Sequence, residues 1–338
     1  MSGPEDMRAA MVRWALLVLG LVAAILLALG VGASPAGWAG IVDVLLGRAD
    51  GPTRTILLDV RLPRILLAAV VGAALSGAGA AFQAILRNPL ADPYILGVSG
   101  GAALGAALFT AASGGDPLGG PLARPLAAFA GALVTLLVLF RLARLRGRTG
   151  SMVLLLVGVV LNAFDSAVIL FLLTVGDTSR FQGVMSFLVG SVGSLPWAVV
   201  LGAGGLVLAG LAVLLTLSHR LNLLAFGEET AGHLGVDVER TTWMVVLAAS
   251  LVTAAAVAFT GLIGFLGLIV PHALRTVFGA DHRRLLPASA LGGAAFLVLA
   301  DAGARTLVAP IELPVGVLTA LIGCPLFLVL FLRKLREA

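Results

Sequence analysis

Lysine is all but missing from this 338-residue chain. Lys334 stands alone, and nothing before it forms the Gly-Lys-Ser/Thr step of a phosphate-binding loop. A P-loop ATPase is thereby excluded, so energy drawn from ATP would have to enter through another polypeptide. Cysteine is as scarce. The single Cys324 sits in an apolar run, which rules out an intrachain disulfide or a cysteine metal cage; it reads as a small buried hydrophobe. Charged residues make up 12% of the chain and the formal net charge is +5. The basic residues sit in short stretches between apolar runs rather than in a patch suited to nucleic acid. His272, beside Pro271, has no second His or Cys near it on its face and reads as a neighbour of a helix kink, not a metal ligand. No metal, no cofactor and no catalytic set is expected on this chain.

What the chain has in excess is apolar surface: 60% of its residues are hydrophobic and the mean hydropathy is +1.10. A soluble core could not use so much. A helix crosses the hydrocarbon with about 20 apolar residues. Windows of that width give ten segments, at 12–32, 62–84, 93–112, 122–142, 152–175, 196–217, 241–260, 262–278, 285–306 and 314–333. The expected fold is all-α, a single polytopic membrane domain. The run from Trp14 to Gly32 is long for a signal peptide and Glu5 and Asp6 dilute its leading positive charge, so it reads as a retained first span.

Arginine and lysine set orientation. With the N-terminus inside, the inner segments hold 15 of the 22 basic residues and the outer ones seven. Both termini then lie inside. The outer minority is concentrated between Arg48 and Arg64. Arg61 and Arg64 share a face at the predicted start of the second span, with Pro63 suited to a first turn. Cations at a helix N-terminus oppose its dipole, and these two also run against the charge bias. An acidic partner outside would account for both, as would lipid phosphates or a local pair with Asp59.

Small residues fill the spans. Gly97, Gly101 and Gly105 recur every fourth residue and line one stripe, which suits either close helix packing or the border of a substrate path. Asn162 and Asp165 are polar groups at membrane depth, costly unless they face the bundle interior or a wet cavity; each could serve a pathway or a stabilising hydrogen bond. Asp301 and Arg305, four apart, can pair with each other. Between the second and third spans lies a proline-bearing elbow, Arg87 to Pro93. The longest inner loop, 219–240, mixes Leu223, Leu224, Phe226, Ala231 and Leu234 with Glu228, Glu229, His233, Asp237 and Glu239. Two short amphipathic helices broken at Gly227 or Gly235 fit it. Exposed apolar teeth beside acidic residues suggest a docking surface. A helix lying on the membrane would be richer in Lys and Arg.

Four stretches in order, RLPR…GAALSGAG..FQ…RNPLADPYILGVSGGAALG, LNLLAFGEETAGHLGV, GLIGFLGLIVPHALRTVFGADHRRLLPASALGGAAFLVLADAGAR and ELPVGVLTALIGCPLFLVLFLR, resemble the FecCD-type permeases. These are membrane subunits of bacterial ABC importers for ferric siderophores, haem and vitamin B12. The resemblance runs from about residue 57 to 333. It implies ten spans, a homodimer or pseudo-dimer with the path at its interface, and residence in the inner membrane. It further implies two cytoplasmic ATPase subunits that hold ATP and magnesium, and a binding protein that delivers the cargo from outside. By the same resemblance, Arg61, Arg64 and Arg305 would meet glutamates of the binding protein. Phe226, Gly227, Glu228, Glu229, His233, Leu234 and Gly235 would seat in the ATPase, and Thr149, Gly150 and Ser151 would form a cytoplasmic gate. The short helix after the fifth span would act as an outer gate. The competing reading is an ion-gradient-driven secondary transporter with Asp165 as proton site, in which the 219–240 loop would have no role.

Overall fold

The computed structural model describes residues 4–32, 37–113, 120, 122–144, 151–175 and 182–337, and among them there is no strand. In chain order the helices are α1 (Pro4–Gly30), α2 (Trp38–Leu45), α3 (Gly51–Thr55), a π-helical turn (Ile56–Arg61), α4 (Leu62–Ile85), a 3-10 turn (Pro93–Leu96), α5 (Val98–Ala112), α6 (Ala123–Arg144), α7 (Ser151–Val175), α8 (Gln182–Val189), α9 (Trp197–Thr216), α10 (Ser218–Leu224), α11 (Glu228–His233), α12 (Val238–Thr260), α13 (Leu266–Phe278), α14 (His282–Thr306) and α15 (Val315–Glu337). Among the described residues, seven helices are long and apolar enough to cross a membrane, and Val98–Ala112, Leu266–Phe278 and Val315–Val329 are shorter apolar helices.

α4 is the axis of the bundle. Its residues are buried along nearly the whole length, with α9, α12, α13 and α14 packed around it. Lipid tails are as apolar as leucine, so backbone proximity has to hold such helices together. Gly72 shows how: a Cβ there would strike the carbonyl of Gly293, and one at Gly79 would strike that of Gly267. The stripe of the third segment does the same work. Gly101 and Gly105 lie against α6 at Gly131 and Ala127, so these two glycines serve close packing; Gly97, at φ +87°, is the left-handed joint between the 3-10 turn and α5.

Two expectations are corrected here. The helix holding Arg61 and Arg64 does not begin at 62. It begins at Gly51, capped by Asp50, whose carboxylate accepts the Thr53 N–H at 2.9 Å, and continues unbroken to Ile85. The π turn Ile56–Arg61 precedes Pro63. That wider turn takes up the register change at a residue with no N–H to give. The two arginines therefore lie inside a helix, where the end-of-helix dipole penalty is absent. Cys324 is exposed, not buried. Gly323 of α15 is turned inward onto Phe265, and the next residue, about 100° further round the helix, faces away from the bundle.

Non-helical backbone meets at the C-terminal end of α8. Leu262 N–H donates to the Phe187 carbonyl at 3.0 Å, Ser191 N–H to that of Thr260 at 2.8 Å, and Gly316 N–H to that of Gly190 at 3.1 Å. Broken helices in an apolar medium need such mutual satisfaction.

Candidate functional site

Two polar constructions occupy opposite ends of the antiparallel α4–α14 pair. At the first end, Asp301 lies between two arginines. Arg64 donates from Nε and Nη2 to Asp301 Oδ1 at 3.1 and 3.0 Å, and from Nη1 to Glu312 Oε2 at 2.9 Å. Arg305 Nε lies 3.0 Å from Asp301 Oδ2, one turn along the same helix. Arg61 Nη1 donates to the Leu29 carbonyl at 2.7 Å and Arg305 Nη2 to that of Ala28 at 3.4 Å. These are the last carbonyls of α1, where a helix leaves acceptors free and favours cations. The predicted docking set is thus brought together, but not as three outward charges. Arg61 and Arg305 are 5% and 6% exposed, and Arg64 is reached from the surface beside Glu312, whose side chain is 53% exposed. The Asp301–Arg305 pair was legible from spacing. Arg64 takes Glu312 as a partner from 248 positions away in sequence, with no local signal to find it.

At the other end, α10 and α11 form the double helix expected for 219–240, and both glycines are used: Gly227 (φ +115°) divides the helices and Gly235 (φ +83°) follows the second. Leu221, Leu224 and Ala231 are buried beneath them, while Phe226 (75%) and Leu234 (59%) stand out into the surroundings. Glu229, His233 and Gly235 are exposed beside them and Glu228 is partly so. Arg87 of the elbow, in a left-handed conformation at φ +47°, brings Nη2 to 3.8 Å from Glu228 Oε1. Asn222 of α10 bonds the start of α14: its Nδ2 donates to Asp281 Oδ1 at 2.6 Å and its Oδ1 accepts the His282 N–H at 2.8 Å. Burial alone would raise the Asp281 carboxyl. The Asn222 amide, the Arg283 N–H and the charges of Arg283 and Arg284 outweigh burial and hold it below the usual carboxylate range.

Between the ends lies a cavity of about 420 Å³ lined by Asp92, Tyr94, Ile95, Val159, Asn162, Gly264, Phe265 and Leu268. Its walls are tied by hydrogen bonds. Asn162 Nδ2 donates to the Tyr94 carbonyl at 2.9 Å. The Tyr94 hydroxyl donates to the Ile263 carbonyl at 2.9 Å and accepts the Ile263 N–H at 2.8 Å. Asp92 accepts the Tyr94 N–H at 2.9 Å. Asp165 is buried against Gly100, and its Oδ2 has no hydrogen-bond partner. The elbow from Arg87 to Pro93, unassigned by sequence, thus touches both the cavity and α11. Of the predicted gate, Thr149 and Gly150 lie outside the described residues, as does the side chain of Ser151. Among the described residues no group of three or more His, Cys, Asp or Glu is placed to hold a metal ion.

Comparison with known proteins gives this geometry a family. The chain is 42% identical over 280 residues to the hemin transport system permease protein HmuU of Yersinia pestis, covering 82% of this chain and 84% of that one. It is 46% identical over 277 residues to the cobalamin import system permease protein BtuC of Halobacterium salinarum, covering 82% and 73%. A solved structure described as an inward-facing conformation of a metal-chelate-type ABC transporter superposes with a TM-score of 0.80 at 34% identity, over 93% of this chain and 96% of that one. Since the model of the FecCD transport family matches residues 20–333, taking in both ends of the α4–α14 pair, the chain belongs to the FecCD transport family.

Proposed function

We propose that this chain is the permease subunit of an ATP-binding-cassette importer that moves a metal chelate, either an iron chelate such as haem or a ferric siderophore, or cobalamin, across the inner membrane. The observation that carries the reading is its likeness, at above 40% identity over 82% of the chain, to permeases named for hemin and cobalamin import. The family reading also removes the need for an ion gradient acting through Asp165. As a transport subunit the chain makes and breaks no bonds; ATP and magnesium belong to the partner ATPase.

In this reading two copies of the chain enclose the path and both termini are cytoplasmic. The α10–α11 end then faces the cytoplasm, and Phe226, Glu228, Glu229 and Leu234 seat in the ATPase. The Arg61–Arg64–Arg305 end faces outward, and an acidic binding protein docks there at Arg64. ATP binding draws the ATPases together and pulls α10–α11. The two subunits rock, and one gate opens as the other closes. A weakly interacting wall of small apolar residues suits a large cargo, which must leave as readily as it enters.

The test is a tagged copy of the chain isolated from membranes together with its ATPase. Wild type should retain the ATPase, and E228A/E229A/L234A should lose it or hydrolyse ATP without uptake. Undiminished retention and uptake in the triple variant would remove the coupling role.

A further inference from the structure

We infer that Asn222 is a positioning residue that fastens the α10–α11 segment to the α4–α14 pair, so that movement of that pair is handed directly to Phe226 and Leu234. The inference rests on the reading of this segment as the ATPase contact.

The joint is made by one carboxamide. Asn222 Nδ2 donates to Asp281 Oδ1 at 2.6 Å, and its Oδ1 accepts the His282 N–H at 2.8 Å. A carboxylate can only accept and a backbone N–H can only donate, so the amide has one orientation; turned over, it would oppose donor to donor and acceptor to acceptor. The same Oδ1 lies 2.7 Å from His282 Nδ1, which must therefore carry the ring proton. His282 is 2% exposed and its Nε2 has no partner, so the neutral ring is held by Asn222. Asp281 also caps α14, accepting the Arg283 N–H at 3.0 Å. One side chain of α10 thus holds the cap residue, the first amide and the first ring of α14.

The other contacts of the junction described between these segments are of two further kinds. Leu221 and Leu224 are buried where α10 rests on α4 and α14, a contact that resists separation but fixes no register. The Arg87–Glu228 approach is 3.8 Å and half-exposed, so water reaches and screens it. The strut itself is stiff: α4 and α14 touch backbone to backbone at Gly72 and Gly293, and Asp301 ties Arg64 of one to the other at the far end. Asparagine suits the joint because it alone, at this length, donates to a carboxylate while accepting from an N–H. Aspartate would set two carboxylates against each other; leucine would offer neither bond.

The experiment is a swap in the assembled permease–ATPase complex in proteoliposomes. The quantities read are the stimulation of ATP hydrolysis by the cognate binding protein, as a ratio to basal hydrolysis, and uptake per ATP. N222D should lower the stimulation ratio about fivefold or more, D281N should stay within about twofold of wild type because an amide at 281 still accepts from Asn222, and N222D/D281N should recover to within about twofold, as expected of a directly coupled pair. Recovery in the swap separates the bond from a general effect on folding. If N222D does not assemble, N222L takes its place, with the same loss expected. Wild-type stimulation in a folded N222D or N222L, or a swap as impaired as N222D, overturns the inference. If E228A/E229A/L234A is silent, the ATPase-contact reading falls and this inference with it; if that variant is impaired while N222D is not, the inference alone falls.

Discussion

Removing Asp301 should be among the most damaging single substitutions in the molecule. Its carboxylate is 1% exposed and is shared by Arg64, 16% exposed, and Arg305, 6% exposed. In D301A, Arg64 keeps Glu312, but among the described residues Arg305 is left with the carbonyls of Ala28 and of residue 301 itself. Breaking a buried ion pair from one side costs about 3–5 kcal/mol, because the remaining charge stays desolvated. D301N keeps the shape and one acceptor, and should cost about 1–3 kcal/mol. D59A, an exposed carboxylate on the same helix as Arg61, should cost no more than about 0.5 kcal/mol. At roughly 2 °C per kcal/mol for a chain of this size, D301A in detergent should melt about 6–10 °C below wild type, with D301N between. The same loss should loosen α1, whose last carbonyls are held by Arg61 and Arg305, and hydrogen exchange of the amides in the last turn of α1 should rise in step. If D301A melted with D59A, the ionic cluster would contribute nothing to stability.

Three further outcomes follow from the geometry. Arg64→Gln should weaken association with the acidic binding protein while Glu312→Gln, which removes the internal competitor for Arg64, should strengthen it; calorimetric titration that found both unchanged would remove Arg64 from the docking surface. Asp281 has a folded pKa below its unfolded value of about 3.9, so its contribution is complete above that value and disappears as pH falls through the folded one. The melting difference between wild type and D281N should thus be constant above about pH 5 and vanish on acidification below about pH 4; a difference that grew toward low pH would reverse the sign. Gly72→Ala must push the Gly293 backbone aside and should cost about 1–3 kcal/mol, whereas Gly202→Ala, with open space at its Cβ, should be neutral or up to about 1 kcal/mol stabilising in its helix.

Much of this architecture is readable from patterns the chain carries locally. Apolar runs announce the helices, Gly227 and Gly235 announce the double helix of α10–α11, and the four-residue spacing of Asp301 and Arg305 announces their pair. Features set by distant chain segments are not. Glu312 reaches Arg64 and Asn222 reaches Asp281 only once α14 has been laid against α4 and α10. Pro63 suggests a helix start because proline favours a first turn, yet a π turn upstream lets the helix run through it. A burial expectation for Cys324 follows from its apolar neighbours, but an apolar surface inside a membrane can face outward as well as inward, so hydropathy does not fix the direction of a side chain there. The arginines were legible as an anomaly of charge; that two of them hold the end of α1 was not, since backbone carbonyls leave no mark in a sequence.

Uptake through a permease of this family is driven by ATP hydrolysed on a separate subunit. The direct measurement is uptake of radiolabelled haem, ferric siderophore and cobalamin into proteoliposomes containing the chain, with and without the cognate ATPase, ATP–magnesium and binding protein, and with imposed proton or sodium gradients. Uptake of one cargo class is expected when ATPase, ATP and binding protein are all present, and none from a gradient alone. Uptake driven by a gradient in vesicles that hold this chain and no ATPase would contradict that expectation.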